Sequence, residues 1–301
     1  MSLTEEFKEK IRAEILKARD NFTGTDKAFS KTLGINNASF SRIKNGDLIN
    51  VLASSSWLQI ARELNVKNSQ DNWVMARTKV YTELEGNLKF CQDYSKAMII
   101  IDDCGLGKSD CAMHIARGMK NTFFVDCSQG KTKTQFIKLI AKTVGLDVKG
   151  RFIDVKNNLK YYLNNVLVDP NPLIVLDDSG YLEAPAFLEI QELLNGTKGS
   201  CGWYMIGDES FQEKIERGIR NKKIGYRAIF SRFSDEYVQI TPIGIDDKRA
   251  FYKELLWTVA EKNVDDKTII PKLVTKCLKK EASLRYLRTL IEVMKSKQNQ
   301  N

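Results

Sequence analysis

Ala97-Met98-Ile99-Ile100-Ile101-Asp102-Asp103-Cys104-Gly105-Leu106-Gly107-Lys108-Ser109 is the stretch on which the fold turns. The apolar run at its start has the length and texture of a strand buried on both faces. Its second half matches the phosphate-binding loop G-x-x-x-x-G-K-[ST] at every fixed position except the first, where Asp102 replaces glycine. A loop that wraps phosphates needs backbone N–H groups aimed inward, and Gly105 and Gly107 supply the backbone freedom for that. A helix starting near Ser109 adds its positive N-terminal dipole. Lys108 is then set to reach the β- and γ-phosphates and Ser109 to ligate Mg²⁺, while Cys104 and Leu106 contribute backbone alone. ATP and Mg²⁺ are the implied cofactors. Asp102 lies at the strand exit, farther from the phosphates than Gly107, where a carboxylate is tolerated if it points away.

A second acidic motif comes in the expected order. Leu173-Ile174-Val175-Leu176-Asp177-Asp178 is an apolar strand ending in two acids, about 70 residues after the loop. Such a strand carries Asp177 to the sheet's C-terminal edge, where it can hold Mg²⁺ through water. Asp178 takes the place of the carboxylate that polarises an attacking water. It is one methylene shorter than the usual glutamate, and placement of the base is a large part of catalysis, so slow hydrolysis is expected.

Outward from these motifs, three more apolar runs have strand length: Thr122-Phe123-Phe124-Val125, Trp203-Tyr204-Met205-Ile206 and Tyr237-Val238-Gln239-Ile240. Helical patterns separate them, which predicts a mostly parallel five-stranded sheet covered by helices. From Asp246 onward the pattern is helical again and predicts a lid, ending in a polar tail from Lys295 to Asn301. The N-terminal part reads as helices only. One runs from Thr4 to Asp20. Thr25 or Asp26 caps the next, Gly34 turns the chain, Asn36 caps a third helix, and Asn45-Gly46 ends it. Trp57, Ile60, Ala61 and Leu64 recur at helical spacing, and helical character is expected again from Trp73 to Leu88. The predicted organisation is an all-α domain over 1–66, a helical linker over 67–93, an α/β core over 94–242 and a helical lid with tail over 243–301.

Composition narrows the class. Lys plus Arg outnumber Asp plus Glu by 47 to 38 and the isoelectric point is near 9.1, which favours a polyanionic partner without identifying one. Six cysteines without a CxxC pair, and a single histidine, His114, argue against a zinc site. No apolar run approaches the ~20 residues needed to cross a bilayer. The charged N-terminus does not read as a signal peptide, so a cytoplasmic setting without a membrane partner is expected.

From Ala97 to the C-terminus this order of strands and motifs resembles the AAA+ ATPases. The resemblance implies an AAA+ α/β fold with a helical lid. It also implies roles for four further residues. Asp208, after the fourth strand, sits where a polar sensor orients the lytic water. Arg232 in Phe230-Ser231-Arg232-Phe233 is the candidate finger for a neighbouring subunit's γ-phosphate, with Arg227 second, and Arg285 in Ser283-Leu284-Arg285-Tyr286-Leu287 corresponds to the second sensor. With Asp178 these form the catalytic candidates. An arginine suits such positions because it stays charged and spreads its donors over phosphate oxygens.

The segment Ala28–Gly46 resembles a repressor-type helix-turn-helix, with Asn37, Ser39, Arg42 and Lys44 as DNA-contact candidates. Lys131 and Lys133 after the second strand, and Lys149 and Arg151 in a glycine-containing loop, are further phosphate-contact candidates; Lys214, Arg217, Arg220, Lys222 and Lys223 form a third basic stretch. A helix-turn-helix preceding this module looks like the family of target-capture ATPases typified by the B protein of phage Mu. The ATPase part is also similar to the target-selecting ATPases of Tn7-type elements and the IS21-type helper ATPases. The stretch from Cys127-Ser128 to Thr134 and the turn Ile206-Gly207-Asp208-Glu209 carry the likeness along with the domain order. That resemblance implies ATP-dependent, largely non-sequence-specific binding of duplex DNA as a helical filament or ring, and delivery of that DNA to a transposase that stimulates hydrolysis and disassembly. A helicase loader or initiator of the same superfamily, and a helix-turn-helix transcription regulator with a degenerate nucleotide switch, are the alternatives.

Overall fold

The computed structural model describes residues 3–64, 66, 73–280 and 283–298. Four helices open the chain: α1 (Glu5–Asp20), α2 (Asp26–Thr32), α3 (Asn37–Lys44) and α4 (Ser54–Glu63). The starts of the first three are set locally. The side chains of Thr4, Thr25 and Asn36 accept from Phe7 N, Ala28 N and Ser39 N, satisfying N–H groups that have no partner inside the helix. Gly34 turns the chain between α2 and α3 at φ +68, in the left-handed region where a side chain is costly.

The α/β body is built from α5 (Lys79–Asp93), β1 (Ala97–Ile101), α6 (Lys108–Gly118), β2 (Thr122–Asp126), α7 (Lys133–Thr143), α8 (Phe152–Asn165), β3 (Leu173–Asp177), α9 (Ala184–Gly196), β4 (Gly202–Gly207), α10 (Glu209–Arg220), α11 (Tyr226–Arg232) and β5 (Tyr237–Val238). The five strands form one parallel sheet in the order β2-β3-β4-β1-β5. Successive residues of β1 alternate between its faces, with Ile99 and Ile101 in one core and Ile100 in the other. Three helices complete the chain: α12 (Ile245–Asn263), α13 (Ile270–Leu278) and α14 (Leu284–Gln298). Among the described residues no helix is long and apolar enough to cross a membrane.

The helices of the first part and the α/β body share one core. Phe7, Ile11 and Trp57 belong to the same buried cluster as Phe123 and Phe136. Asn121 N donates to Asn21 O at 3.1 Å, Arg117 donates to Leu64 O at 2.8 Å, and the rings of Phe22 and Phe123 meet edge-on at 6.5 Å. The opposite sheet face packs against α5, α6 and the C-terminal helices through Leu84, Leu88, Ile115, Leu256 and Leu287.

Three sequence expectations are corrected. Helical character from Trp73 begins only at Lys79: residues 73–78 are irregular, because Asn263 takes both backbone groups of Val74 (Val74 N to Oδ1, 2.7 Å; Nδ2 to Val74 O, 3.0 Å) and Thr78 caps α5. The fifth strand stops at Val238 rather than Ile240, because Ile240 N and Thr241 N turn to the Asp102 carboxylate. The polar tail is helical as far as Gln298. The proposed start of the linker at 67–72 and the tail's last residues, 299–301, lie outside the described residues.

Candidate nucleotide site

At the C-terminal edge of the sheet, β4 lies between β1 and β3. That insertion brings the loop after β1, the acids ending β3 and the turn after β4 around one cleft of about 490 Å³. Clefts outside the carboxyl ends of parallel strands are the usual ligand position in such sheets, and the volume falls in the ordinary range for small-molecule sites.

The loop has the conformation its glycines allow. Gly105 and Gly107 stand at φ +78 and +89, and Gly107 begins α6 without any side-chain cap, so the first N–H groups of that helix remain open to an anion. Lys108 is buried and its Nζ donates to Asp102 O at 2.6 Å and Asp103 O at 2.8 Å. Burial pulls its ammonium below the usual lysine range, against the pull of neighbouring acids. Ser109 Oγ donates to Asp177 Oδ1 at 3.0 Å, which joins the hydroxyl and the carboxylate predicted to share Mg²⁺. These features fit a magnesium nucleotide: open helix N–H groups, a converging ammonium, and a hydroxyl–carboxylate pair.

Asp102 does point away from the phosphate position. It is buried; its Oδ1 accepts from Asp103 N at 2.8 Å and its Oδ2 from Ile240 N and Thr241 N at 2.7 and 2.9 Å. Asp103 binds the lid as well, through Lys248 at 2.7 Å and the Tyr252 hydroxyl at 2.6 Å. Burial tends to raise its carboxyl, but those two partners outweigh it and hold the group below the usual range. A third link comes from α14: Leu284 N donates to Gly105 O at 3.0 Å, and Ser283 sits where a Cβ on Gly105 would stand.

The acids divide by environment. Burial raises Asp177 to about 6 and also raises Asp178, which in addition feels Asp126 and Asp208. The raised Asp178 is more basic than an ordinary aspartate, as a proton acceptor should be. Asp208 caps α10, accepting from Phe211 N at 3.1 Å and Ser210 Oγ at 2.6 Å; these bonds outweigh its burial and keep it below the usual range. Cys104 does more than lend backbone: its Sγ lies 3.6 Å from Asp208 Oδ2, and burial together with that carboxylate pushes the thiol up, so it stays protonated and donates.

Arg285 lines the cleft. Arg232 does not line it; its guanidinium bonds Asn195 Oδ1 at 2.6 Å and Ala228 O at 2.7 Å on the exposed surface, and Arg227 pairs with Asp235 at 2.9 Å. Sequence reasoning missed the cleft's apolar end, formed by Trp73, Met75, Ala76, Val259 and Leu284. It also missed Arg288, whose guanidinium lies 5.2 Å from the Trp73 ring. Arg288 falls one turn after Arg285, so helical spacing was the available signal.

The DNA-contact candidates are dispersed. Asn37, Arg42 and Lys44 are exposed on α3 and Ser39 is half-buried. Arg42 pairs with Asp47 at 2.7 Å and Lys44 with Asp26 at 3.2 Å, exposed contacts of small net strength that a phosphate can replace. Lys131 stands 5.1 Å from the Tyr181 ring centroid, and Lys133 pairs with buried Glu189 at 2.7 Å. Lys149 is exposed, and Arg151 is exposed and paired with Asp154 at 2.9 Å. Lys214 leaves the third basic stretch altogether: its Nζ turns inward to Gly180 O at 2.8 Å and to Leu182 O, and burial lowers its ammonium. Comparison with models of known protein families and with curated proteins finds no match to this chain.

The raised Asp177 gives a pH signature. The folded carboxyl titrates near 6 and the unfolded one near 3.8, so the empty protein loses stability as pH rises between those values. Metal ligation needs the deprotonated form. Lowering pH from 7 to 5 is therefore expected to weaken magnesium-dependent nucleotide binding by about tenfold beyond the change in Asp177→Asn. Calorimetry of both proteins across that range is the check, and parallel pH profiles would refute the assignment.

Proposed function

We propose that this chain is a P-loop ATPase of the AAA+ type. The observation that carries the reading is the insertion of β4 between β1 and β3, which gathers the glycine loop, Lys108, Asp177, Asp178 and Asp208 around one cleft that Arg285 joins from α14. Cys104 to Ser109 would hold the nucleotide phosphates, Ser109 and Asp177 the Mg²⁺, and Trp73, Met75 and Ala76 with Val259 and Leu284 the base. The bound metal would neutralise charge on the phosphates. Asp178 accepts the proton of the attacking water, and Asp208 and Arg285 orient the reacting groups.

Within that class the reading is a target-capture ATPase of the phage Mu B kind, a cytoplasmic protein that coats duplex DNA as a ring or filament and presents it to a transposase. Support comes from two capped helices joined at Gly34 with polar and basic residues exposed on the second, from the net positive charge, and from the position of Arg232. An arginine outside its own cleft serves catalysis only by entering a neighbour's, so the finger role entails self-assembly.

Electron microscopy with arbitrary duplex DNA and ATP, ADP or a non-hydrolysed analogue tests this. Filaments or rings are expected with ATP or the analogue and not with ADP; binding of one operator as a dimer, whatever the nucleotide, would sink it. Arg232→Ala is expected to keep ATP affinity and to reduce hydrolysis in the assembled state by about a thousandfold. Unchanged turnover would remove Arg232 from the finger role.

A further inference from the structure

The short turn after β3 joins two parts of the molecule that the proposed function assigns to different ligands. Asp178 opens it with left-handed backbone at φ +51. Asp178 O accepts from Tyr181 N at 3.0 Å, and the buried hydroxyl of Ser179 donates to Leu176 O at 2.9 Å. From α10, Lys214 holds the carbonyls of Gly180 and Leu182. Most of the turn's backbone is therefore fixed. The Tyr181 ring is not enclosed: its residue is 56% exposed, and it lines the nucleotide cleft beside Asp178. The ammonium of Lys131, from the β2–α7 loop, lies 5.1 Å from the centroid of that ring, and Lys131 O accepts from Glu183 N at 3.0 Å. The loop itself is seated on Asp126, which accepts from Ser128 N at 2.9 Å and whose charge raises Asp178.

We infer that Tyr181 is a positioning residue through which duplex DNA held at Lys131 acts on nucleotide in the cleft that Tyr181 and Asp178 line. The inference rests on the proposed nucleotide and DNA binding and names the regulation of that site. A cation over an exposed aromatic ring is held weakly, whereas an ammonium on a phosphate oxygen makes a charge-assisted bond. A backbone phosphate arriving at the loop thus takes Lys131 from the ring. Ser179 and Lys214 keep the backbone in place, so the response falls on the Tyr181 side chain, which lines the same cleft as Asp178. Coupling between two ligands is reciprocal: whatever factor DNA applies to nucleotide affinity, nucleotide applies to DNA affinity.

The test uses the full chain, a non-hydrolysed ATP analogue with Mg²⁺ and a duplex of arbitrary sequence. The readout is the ratio of analogue affinities with and without saturating DNA, which a general loss of stability does not imitate. The unsubstituted protein and Tyr181→Phe, which keeps the ring, are expected to show the same ratio, about fivefold or more. Tyr181→Leu is expected to bring it to about one, and the DNA affinities with and without analogue should change in the same way. An undiminished ratio in Tyr181→Leu overturns the inference, as does its loss in Tyr181→Phe. Analogue uptake that DNA does not alter in the unsubstituted protein overturns this inference alone. No uptake at all overturns the nucleotide reading and this inference with it.

Discussion

Lys108→Ala is expected to weaken ATP binding at least about a hundredfold, on the order of 3 kcal/mol, with the fold retained. The side chain leaves the loop between two carbonyls, those of Asp102 and Asp103, and its ammonium is already stripped of most of its water. A phosphate oxygen offers such a cation a stronger partner than a neutral carbonyl does. Part of the desolvation cost is therefore met before ligand arrives, and the alanine variant loses the whole of that preparation. Lys108→Arg should not restore binding, because a planar five-donor fork does not occupy the space of a compact ammonium. Calorimetry with magnesium ATP, alongside circular dichroism to verify folding, is the measurement. An affinity within about threefold of the unsubstituted protein would remove Lys108 from the site.

The second large effect runs against the motif. Asp102→Gly restores the glycine of the phosphate-loop pattern, yet it is expected to destabilise the protein by about 3 kcal/mol. One buried carboxylate accepts three backbone N–H groups, from Asp103, Ile240 and Thr241, and glycine leaves all three without it. Bonds to a charged acceptor are worth more than neutral ones, and glycine adds backbone entropy to the unfolded chain. Asp102→Asn keeps one acceptor oxygen and should cost about 1 kcal/mol. Urea unfolding of the three proteins gives the comparison; equal midpoints for Asp102→Gly and the unsubstituted chain would show that the Asp102 bonds add nothing.

The two substitutions mark the border of what was legible in the sequence. Lys108, Ser109, Asp177 and Asp208 were readable because a strand fixes where its last residue stands and a loop fixes the few beyond it. The caps at Thr25 and Asn36 were readable because each partner lies three residues away. The bonds of Asp102 were not, since Ile240 and Thr241 lie 138 and 139 positions further along the chain. The irregular course of residues 73–78 was hidden for the same reason, Val74 being held by Asn263, 189 positions away. Lys214 read as surface charge because its neighbours Arg217 and Arg220 are exposed, while its own partners belong to the turn after β3. In each case polar partners distant in sequence decided where an element ends or which way a side chain turns.

The margins of the sheet carry a separate consequence. An unpaired strand border invites another chain to add to it, with aggregation as the usual result. One border here is β5, only two residues long and too short to template much. The other is the full-length β2, and the α1–α2 corner stands beside it, with Asn21 bonded to Asn121 and Phe22 against Phe123. The N-terminal helices thus shield apolar side chains at that margin, Phe123 among them. A fragment starting at Trp73 would expose those side chains to water, so the two parts belong in a single expressed polypeptide.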